Sequence, residues 1–206
     1  MKKFMMMAAF MVAAVAANAQ GEVGTLTIQP KIGLNLSTMT GFDDSKIRVG
    51  MAGGIEAEYV IAEKFSVAAA ALYSKQGTAF KEFTCGDCGG KVKERYSLDY
   101  INIPIVANYY IIPGLAIKAG IQPSFLLGAK YKGKHGGNKF DEKIESEVRN
   151  SFDLAVPLGA SYEYKNIVFD ARYNLSVLKF NKSNFWTKDH RNSVIQFTLG
   201  YKLPIK

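Results

Sequence analysis

The chain has 206 residues, the length of one ordinary domain, with 48% hydrophobic residues and a formal net charge of +8. Its mean hydropathy of -0.02 excludes a protein built of several membrane-spanning helices, because each such helix needs about 20 apolar residues.

The first residues have the three parts of a secretory signal peptide. Lys2 and Lys3 form a basic region, an apolar stretch follows, and Ala17-Asn18-Ala19 has the pattern of a cleavage site. We predict a signal peptide over residues 1–19 and one domain over residues 20–206. A retained anchor is the alternative, but the apolar run is too short to span a bilayer. Because an exported chain seldom meets nucleic acid, we interpret the basic charge as solvated loops near anionic lipid headgroups.

Three stretches then alternate apolar and polar residues with a period of two, which predicts strands with one apolar face. The first apolar row is Leu26, Ile28, Pro30, Ile32, Leu34 and Leu36. The next two rows run over Val49, Met51, Gly53, Ile55, Ala57, Tyr59 and Ile61, and over Phe65, Val67, Ala69, Ala71 and Tyr73.

An uncharged stretch from Tyr100 to Ile117 has nearly the length of a transmembrane helix. Pro104 and the turn pair Pro113-Gly114 argue against a helix, as does the abundance of Ile, Val and Tyr. We predict two strands joined by a hairpin turn. Their apolar rows are Ile101, Ile103, Ile105, Ala107, Tyr109 and Ile111, and Leu115, Ile117, Ala119, Ile121, Pro123, Phe125 and Leu127.

Three further strands complete a set of about eight. Their apolar rows begin at Phe152, Ile167 and Ile195. The predicted connections alternate in length: the long ones span residues 38–47, 76–95, 129–150 and 179–192, and the three between them are short turns. An up-and-down sheet therefore has all long loops at one end, which is typical of outer-membrane barrels.

The composition of the two strand faces separates a membrane barrel from a soluble barrel or sandwich, the alternative with the same alternation. The polar face is rich in small residues that fit a narrow lumen, and tyrosines lie near strand ends, as in an aromatic girdle. Those tyrosines are Tyr59, Tyr73, Tyr109, Tyr162 and Tyr201. We predict an all-β protein, an eight-stranded antiparallel up-and-down transmembrane β-barrel in the cell outer membrane.

Charged residues on the polar face would point into the lumen of such a barrel. They are Lys31, Arg48, Glu56, Glu58, Lys118, Asp153, Glu163, Asp170, Arg172 and Lys202. Because an eight-stranded barrel is just wide enough to be filled by side chains, we expect these charges to pair and close the lumen. A proton or ion path is the functional alternative.

Residues with metal or redox chemistry lie in the long loops. Cys85 and Cys88 form a C-x-x-C pair, for which a local disulfide is expected in an oxidising compartment, with free thiols or redox activity as alternatives. Together with His135 and His190 they would make a tetrahedral zinc set, but loops hold such residues by default. His190 follows an aspartate, half of a catalytic dyad, without a nucleophile that stands out. We predict no catalytic, metal or cofactor site.

Two long loops have features of contact surfaces. Residues 130–149 are rich in glycine and charge, and loops of that length are usually functional or mobile. The fourth loop has three aromatic residues, Phe180, Phe185 and Trp186. Exposed aromatics indicate contact with a partner or lipopolysaccharide, and packing onto neighbouring loops is the alternative.

Four short motifs carry a resemblance to a known family. They are Pro30-Lys31-Ile32-Gly33-Leu34-Asn35, the seven residues from Leu98 to Pro104, Asp170-Ala171-Arg172-Tyr173-Asn174, and Gly200-Tyr201-Lys202. The chain resembles the outer-membrane β-barrel domain family common in Bacteroidota, described as porin-like or PorT-like. The resemblance implies the architecture and no specific reaction.

We therefore predict a small outer-membrane barrel with a structural or binding role through long extracellular loops. Its expected partners are outer-membrane lipid and an envelope protein, with no nucleic acid. A narrow porin-like channel is the alternative, and an enzyme at the barrel rim is a third class.

Overall fold

The computed structural model describes residues 22–41, 44–85, 90–135, 138–144, 150–180 and 190–205. The predicted signal peptide lies outside these ranges. No helix long and apolar enough to cross a membrane occurs among the described residues.

The described chain forms strands that belong to one sheet. They are β1 (Leu26–Met39), β2 (Ser45–Lys46), β3 (Arg48–Ala62), β4 (Phe65–Gln76), β5 (Ala79–Phe80), β6 (Phe83–Cys85), β7 (Gly90–Asn102), β8 (Ile105–Ile112), β9 (Leu115–His135), β10 (Asn138–Lys143), β11 (Phe152–Tyr164), β12 (Ile167–Ser176), β13 (Asn192–Tyr201) and β14 (Leu203–Ile205).

The sheet closes on itself into a barrel of eight antiparallel strands. We call each of these eight full-height strands a stave, because some of them consist of two of the numbered segments. The first stave, β1, pairs with β3 on one side and with β13 and β14 on the other. The ring continues through β4, then through β7 and β8 together, and on through β9, β11 and β12 back to β13. Closure leaves no free edge in the ring, so every stave has a neighbour on both sides. The predicted barrel is confirmed.

The fourth stave is divided, whereas the sequence predicts one strand through Pro104. Pro104 has no backbone N–H, so the ladder breaks between β7 and β8. Hydrogen bonds beside the break hold the two segments in line. Ala70 N donates to Pro104 O at 3.0 Å, and Ile103 N donates to Pro123 O at 2.8 Å.

Tight turns join the staves at the end of the barrel where β1 begins and β14 ends. Between β11 and β12, Lys165 and Asn166 have φ of 47° and 69°, and two positive φ values are typical of a type I′ hairpin. Between β8 and β9, Gly114 has φ of 83° after Pro113, as position i+2 of a type II turn requires. We call this end of the barrel the turn end and the opposite end the loop end.

The barrel has its apolar residues on the outside. Ile32 is 70% exposed, Met51 61% and Phe169 58%, whereas Gln29 and Asn35, which point inward from β1, are at most 1% exposed. A soluble barrel has the reverse arrangement, so the outer surface is suited to lipid.

Strands extend past the ring at the loop end. The sequence predicts loops over residues 76–95 and 129–150, but β7 already begins at Gly90 and β9 continues to His135. Together with β5, β6 and β10 they form a sheet beyond the barrel. We call it the extracellular sheet, because outer-membrane barrels have their long loops on the extracellular side.

Candidate functional site

A central charge cluster fills the middle of the lumen: Lys31, Glu56, Lys118, Asp170 and Arg172. Lys31 Nζ lies 2.7 Å from Glu56 Oε1, and Lys118 Nζ lies 2.8 Å from Asp170 Oδ2. Arg172 contacts both carboxylates, with Nη2 2.7 Å from Glu56 Oε2 and Nε 2.7 Å from Asp170 Oδ1. The five side chains are almost completely buried, so these contacts replace the water that each charge loses.

A turn-end charge cluster lies below it, around Glu58, Glu163 and Lys202. Lys202 Nζ is 2.9 Å from Glu58 Oε2 and 2.7 Å from Glu163 Oε2. Glu58 Oε1 also accepts hydrogen bonds from Tyr110 at 2.6 Å, Ser66 at 2.5 Å and Asn108 at 3.1 Å. This carboxylate therefore has a full set of donors without water.

The remaining two charges predicted for the lumen lie apart from both clusters. Arg48, near the loop end, donates to the Gln76 carbonyl and to Ser97 Oγ. Asp153 accepts a hydrogen bond from Ser176 Oγ at 2.5 Å. The structure thus brings eight of the ten predicted residues together in two groups.

An apolar cap closes the lumen towards the loop end. It consists of five buried residues, Met39, Leu98, Tyr100, Leu126 and Ala129. Phe180, predicted as a contact residue of the fourth loop, packs against this cap together with Tyr96 and Ile144. Charge clusters and cap therefore occupy the turn end, middle and loop end of the lumen in succession.

The extracellular sheet carries a row of cations on one face. On β9, Lys134 lies directly between Lys93 of β7 and Lys139 of β10. One step closer to the barrel, Lys132 lies between Arg95 and Asp141. The next step pairs Lys130 with Lys143. We call this surface the cationic face: Lys93, Arg95, Lys130, Lys132, Lys134, Lys139 and Lys143.

Two carboxylates contact the cationic face. Asp141 Oδ2 lies 2.6 Å from Lys132 Nζ and 3.8 Å from Lys130 Nζ, and the hydrogen bond from Lys132 lowers the pKa of Asp141. Glu82 Oε1 lies 2.5 Å from Lys93 Nζ. Within the described part of the chain, Arg95, Lys134, Lys139 and Lys143 make no ion pair. A cavity of about 530 Å³ is lined largely by residues of this sheet.

Aromatic rings line the other face of the same sheet. Phe80, Tyr96, Tyr131 and Phe140 form a chain with successive ring-centroid distances of 5.6, 5.2 and 5.4 Å. Burial, followed by a hydrogen bond to Glu94, raises the pKa of Tyr131. Because Tyr96 packs on the apolar cap, the aromatic face points towards the barrel axis and the cationic face points away from it.

The side chains of several predicted site residues lie outside the described part of the structure. Cys88, Phe185 and Trp186 lie outside the described residues, and only the backbone of Cys85 and His135 is described. His190 is buried, with Nδ1 3.2 Å from Thr40 O. Among the described residues, no three metal-ligating side chains come together.

The cationic face differs from the prediction, in which these lysines belong to solvated loops. A signal was nevertheless present in the sequence. Lys130, Lys132 and Lys134 alternate with uncharged residues, and Lys93 and Arg95 have the same spacing. Successive side chains of a strand point to opposite faces, so a period of two in charge indicates a strand, just as a period of two in hydrophobicity does.

Comparison with known proteins identifies the family. Residues 18–181 match the family model described as the outer membrane protein beta-barrel domain. The chain belongs to this family. It is an outer-membrane protein, as predicted, and its barrel lies in the lipid bilayer. No curated protein sequence matches the chain.

Two solved structures with a similar barrel are those of the bacterial proteins Ail and Neisserial surface protein A. Ail, the attachment invasion locus protein of Yersinia pestis, is 14% identical with a TM-score of 0.51, and the match covers 88% of this chain and 100% of Ail. Neisserial surface protein A is 16% identical with a TM-score of 0.51, covering 86% and 97% of the two chains. Ail has also been solved in complex with the heparin analogue sucrose octasulfate. Such low identities show a shared fold and nothing more.

Proposed function

We propose that this protein is a closed outer-membrane barrel that presents an extracellular binding surface and conducts no solute. In this proposal the barrel anchors and orients the extracellular sheet, and the sheet and neighbouring loops contact a partner in the envelope. Residues 1–19 act as the signal peptide that exports the chain, and the protein has no catalytic role.

The filled lumen is the observation that carries this proposal. A conducting barrel needs a continuous water-filled path, whereas both charge clusters and the apolar cap occupy the interior here. Opening a path would require breaking ion pairs that have almost no access to water, which is costly. The porin-like alternative is therefore disfavoured.

The extracellular sheet supports the binding role. It continues β7 and β9 of the barrel without a flexible link, so its faces are held in fixed orientation. Ail, which shares the fold, is a precedent for a small barrel that binds a polyanion. We also propose that the chain belongs to the Bacteroidota, PorT-like branch of its family, on the strength of the four motifs.

An affinity pull-down from native envelopes tests the binding role. The intact protein is compared with a variant in which residues 132–143 are replaced by a short Gly-Ser link. A control variant carries Asn-Gly in place of Lys165-Asn166 at the turn end, which preserves the type I′ turn. We expect a specific envelope component to be retained by the intact and control proteins and lost with the sheet. Retention of the same components by all three would contradict the proposal.

Conductance tests the closed lumen separately. The purified protein is inserted into planar lipid bilayers and the current is recorded at a range of voltages. We expect no stable single-channel steps. Reproducible steps from the intact, heat-modifiable barrel would show an open path and favour the channel.

A further inference from the structure

In the cationic face, residues of like charge lie opposite each other on neighbouring strands, and this pairing destabilises the sheet. Directly opposed like charges destabilise a sheet, yet Lys134 faces a lysine on each side and Lys130 faces Lys143. Among the residues that the structure describes, only Asp141 and Glu82 form ion pairs with these seven cations. A surface with positive and negative side chains interspersed would keep the protein equally soluble. The arrangement therefore suits a surface that meets an external anion.

The cationic face points towards the lipid side of the barrel. Going up the barrel wall, the outward positions are Phe125 and Leu127, which are 47% and 61% exposed, and then Lys130. Lys130 is three residues beyond Leu127, about 10 Å along the strand. With a strand tilt near 40°, the rise above Leu127 is about 8 Å for Lys130 and about 18 Å for Lys134. The headgroup region of one leaflet is about 5–8 Å deep, so Lys130 and its cross-strand neighbour Lys143 lie at headgroup height, whereas Lys134 and Lys139 lie about 10 Å above it.

We propose that the cationic face binds the phosphate groups of phosphorylated glycolipid in the outer leaflet, next to the barrel wall. This inference rests on the proposed function and names the ligand class for one face of the extracellular sheet. Lys130 and Lys143 supply N–H donors at headgroup height, and Arg95 supplies donors one step above them. Within the described residues Arg95 and Lys143 make no ion pair, and Lys130 has only a 3.8 Å contact with Asp141. The lipid phosphates supply the counter-charge that the register lacks, and the acyl chains lie against the apolar wall below.

The aromatic face limits where this ligand can lie. Tyr96 packs on the cap, so the inner face of the sheet is turned towards the barrel axis and away from the bilayer. A lipid anchored beside the barrel reaches only the outer face. A soluble polyanion, by contrast, would reach the cationic face from the medium without needing the bilayer.

Native mass spectrometry of the detergent-solubilised full chain tests the proposal by counting bound lipids. Bis-phosphorylated lipid A is titrated against the intact protein and against an Arg95→Gln, Lys130→Gln, Lys143→Gln variant. A Lys64→Gln, Lys81→Gln, Lys165→Gln variant is the matched control, since these exposed lysines lie off the face and carry the same charge. Heat-modifiable gel mobility confirms that every variant is folded.

We expect the face variant to need at least tenfold more bis-phosphorylated lipid A for equal occupancy, and the control variant to resemble the intact protein. Dephosphorylated lipid A should bind all three alike. Added salt should weaken the phosphate-dependent binding, because exposed charges are screened. Equal occupancy of the intact protein and the face variant would overturn the proposal.

A second experiment distinguishes the two sources of anionic groups, which are membrane lipid and a soluble polyanion. A sulfated heparin fragment is added to the intact protein in lipid-A-free phosphatidylcholine vesicles. Binding that lipid A phosphate does not displace would assign the face to a soluble polyanion and overturn the lipid assignment. The envelope pull-down remains independent, because a partner can be lost with the sheet while lipid occupancy is the same in all variants.

Discussion

At the scale of single residues, the lumen shows how a narrow barrel accommodates charge. The central charge cluster has three cations and two carboxylates, and the turn-end charge cluster has one cation and two carboxylates. Together the two clusters hold four cations and four carboxylates, so their net charge is zero. Each charge is close to a partner of opposite sign, which a buried charge requires to offset its desolvation.

Glu56→Gln tests this balance. Glu56 contacts Lys31 and Arg172, each at 2.7 Å, so the substitution leaves three buried cations with one carboxylate. We expect the free energy of unfolding to fall by about 3–5 kcal/mol. The measurement is a urea titration in lipid vesicles, followed by heat-modifiable gel mobility.

Asp44→Asn is the control for that measurement, because its ion pair with Lys81, at 2.9 Å, is exposed. We expect little change there, since exposed pairs contribute little. Equal effects of the two substitutions would mean that water reaches the central cluster.

At the scale of elements, close pairing of neighbouring strands depends on small residues at particular positions. A Cβ at Gly120 of β9 would overlap the carbonyl oxygen of Ile105 in β8 and lie 2.8 Å from Val106 Cα. These are backbone atoms, which cannot rotate away. At Gly53 of β3, the nearest atom to such a Cβ is Lys31 O at 3.4 Å, an ordinary contact.

Gly120→Ala should therefore separate β8 from β9 locally and destabilise the barrel by about 1–3 kcal/mol. Gly53→Ala, the same change on another stave, should be neutral or slightly stabilising, because alanine has less backbone freedom to lose on folding. Urea midpoints in vesicles compare the two. A Gly120→Ala barrel as stable as the intact one would show that the strands are not held this closely.

The elements also show how far the sequence predicts this molecule. The staves follow from alternation because each has one face in lipid and one in the lumen, as β1 shows. The break at Pro104 was not predicted, since alternation continues across it and only the missing N–H marks it. The extracellular sheet was not predicted, because the strand predictions depend on rows of apolar side chains and neither face of the stretch from Lys130 to Lys134 has such a row. Which charges pair depends on the ring closure that brings Lys31 to Asp170, and no local pattern contains it.

At the scale of the whole molecule, the protein is divided by depth. The turn end holds the hairpins and a charge cluster, the middle is wrapped in an apolar band, and the loop end carries the cap and the extracellular sheet. The apolar band fixes the height of everything else, because it settles in the hydrocarbon core. The lower end of the cationic face, at Lys130 and Lys143, then comes to the headgroup level as a consequence of strand length.

Two arginine substitutions on β1 test this depth assignment. Ile32 is outward-facing and lies near the middle of the strand, whereas Leu26 is outward-facing at its turn-end start. Six residues separate them, about 15 Å in height after strand tilt, half the hydrocarbon thickness. We expect Ile32→Arg to destabilise the folded barrel by about 2–4 kcal/mol and Leu26→Arg by about 0–1 kcal/mol. Folding free energies in phosphatidylcholine vesicles measure both. If the two costs are equal, the band is displaced along the barrel axis, and the cationic face then lies at a different height from the headgroups.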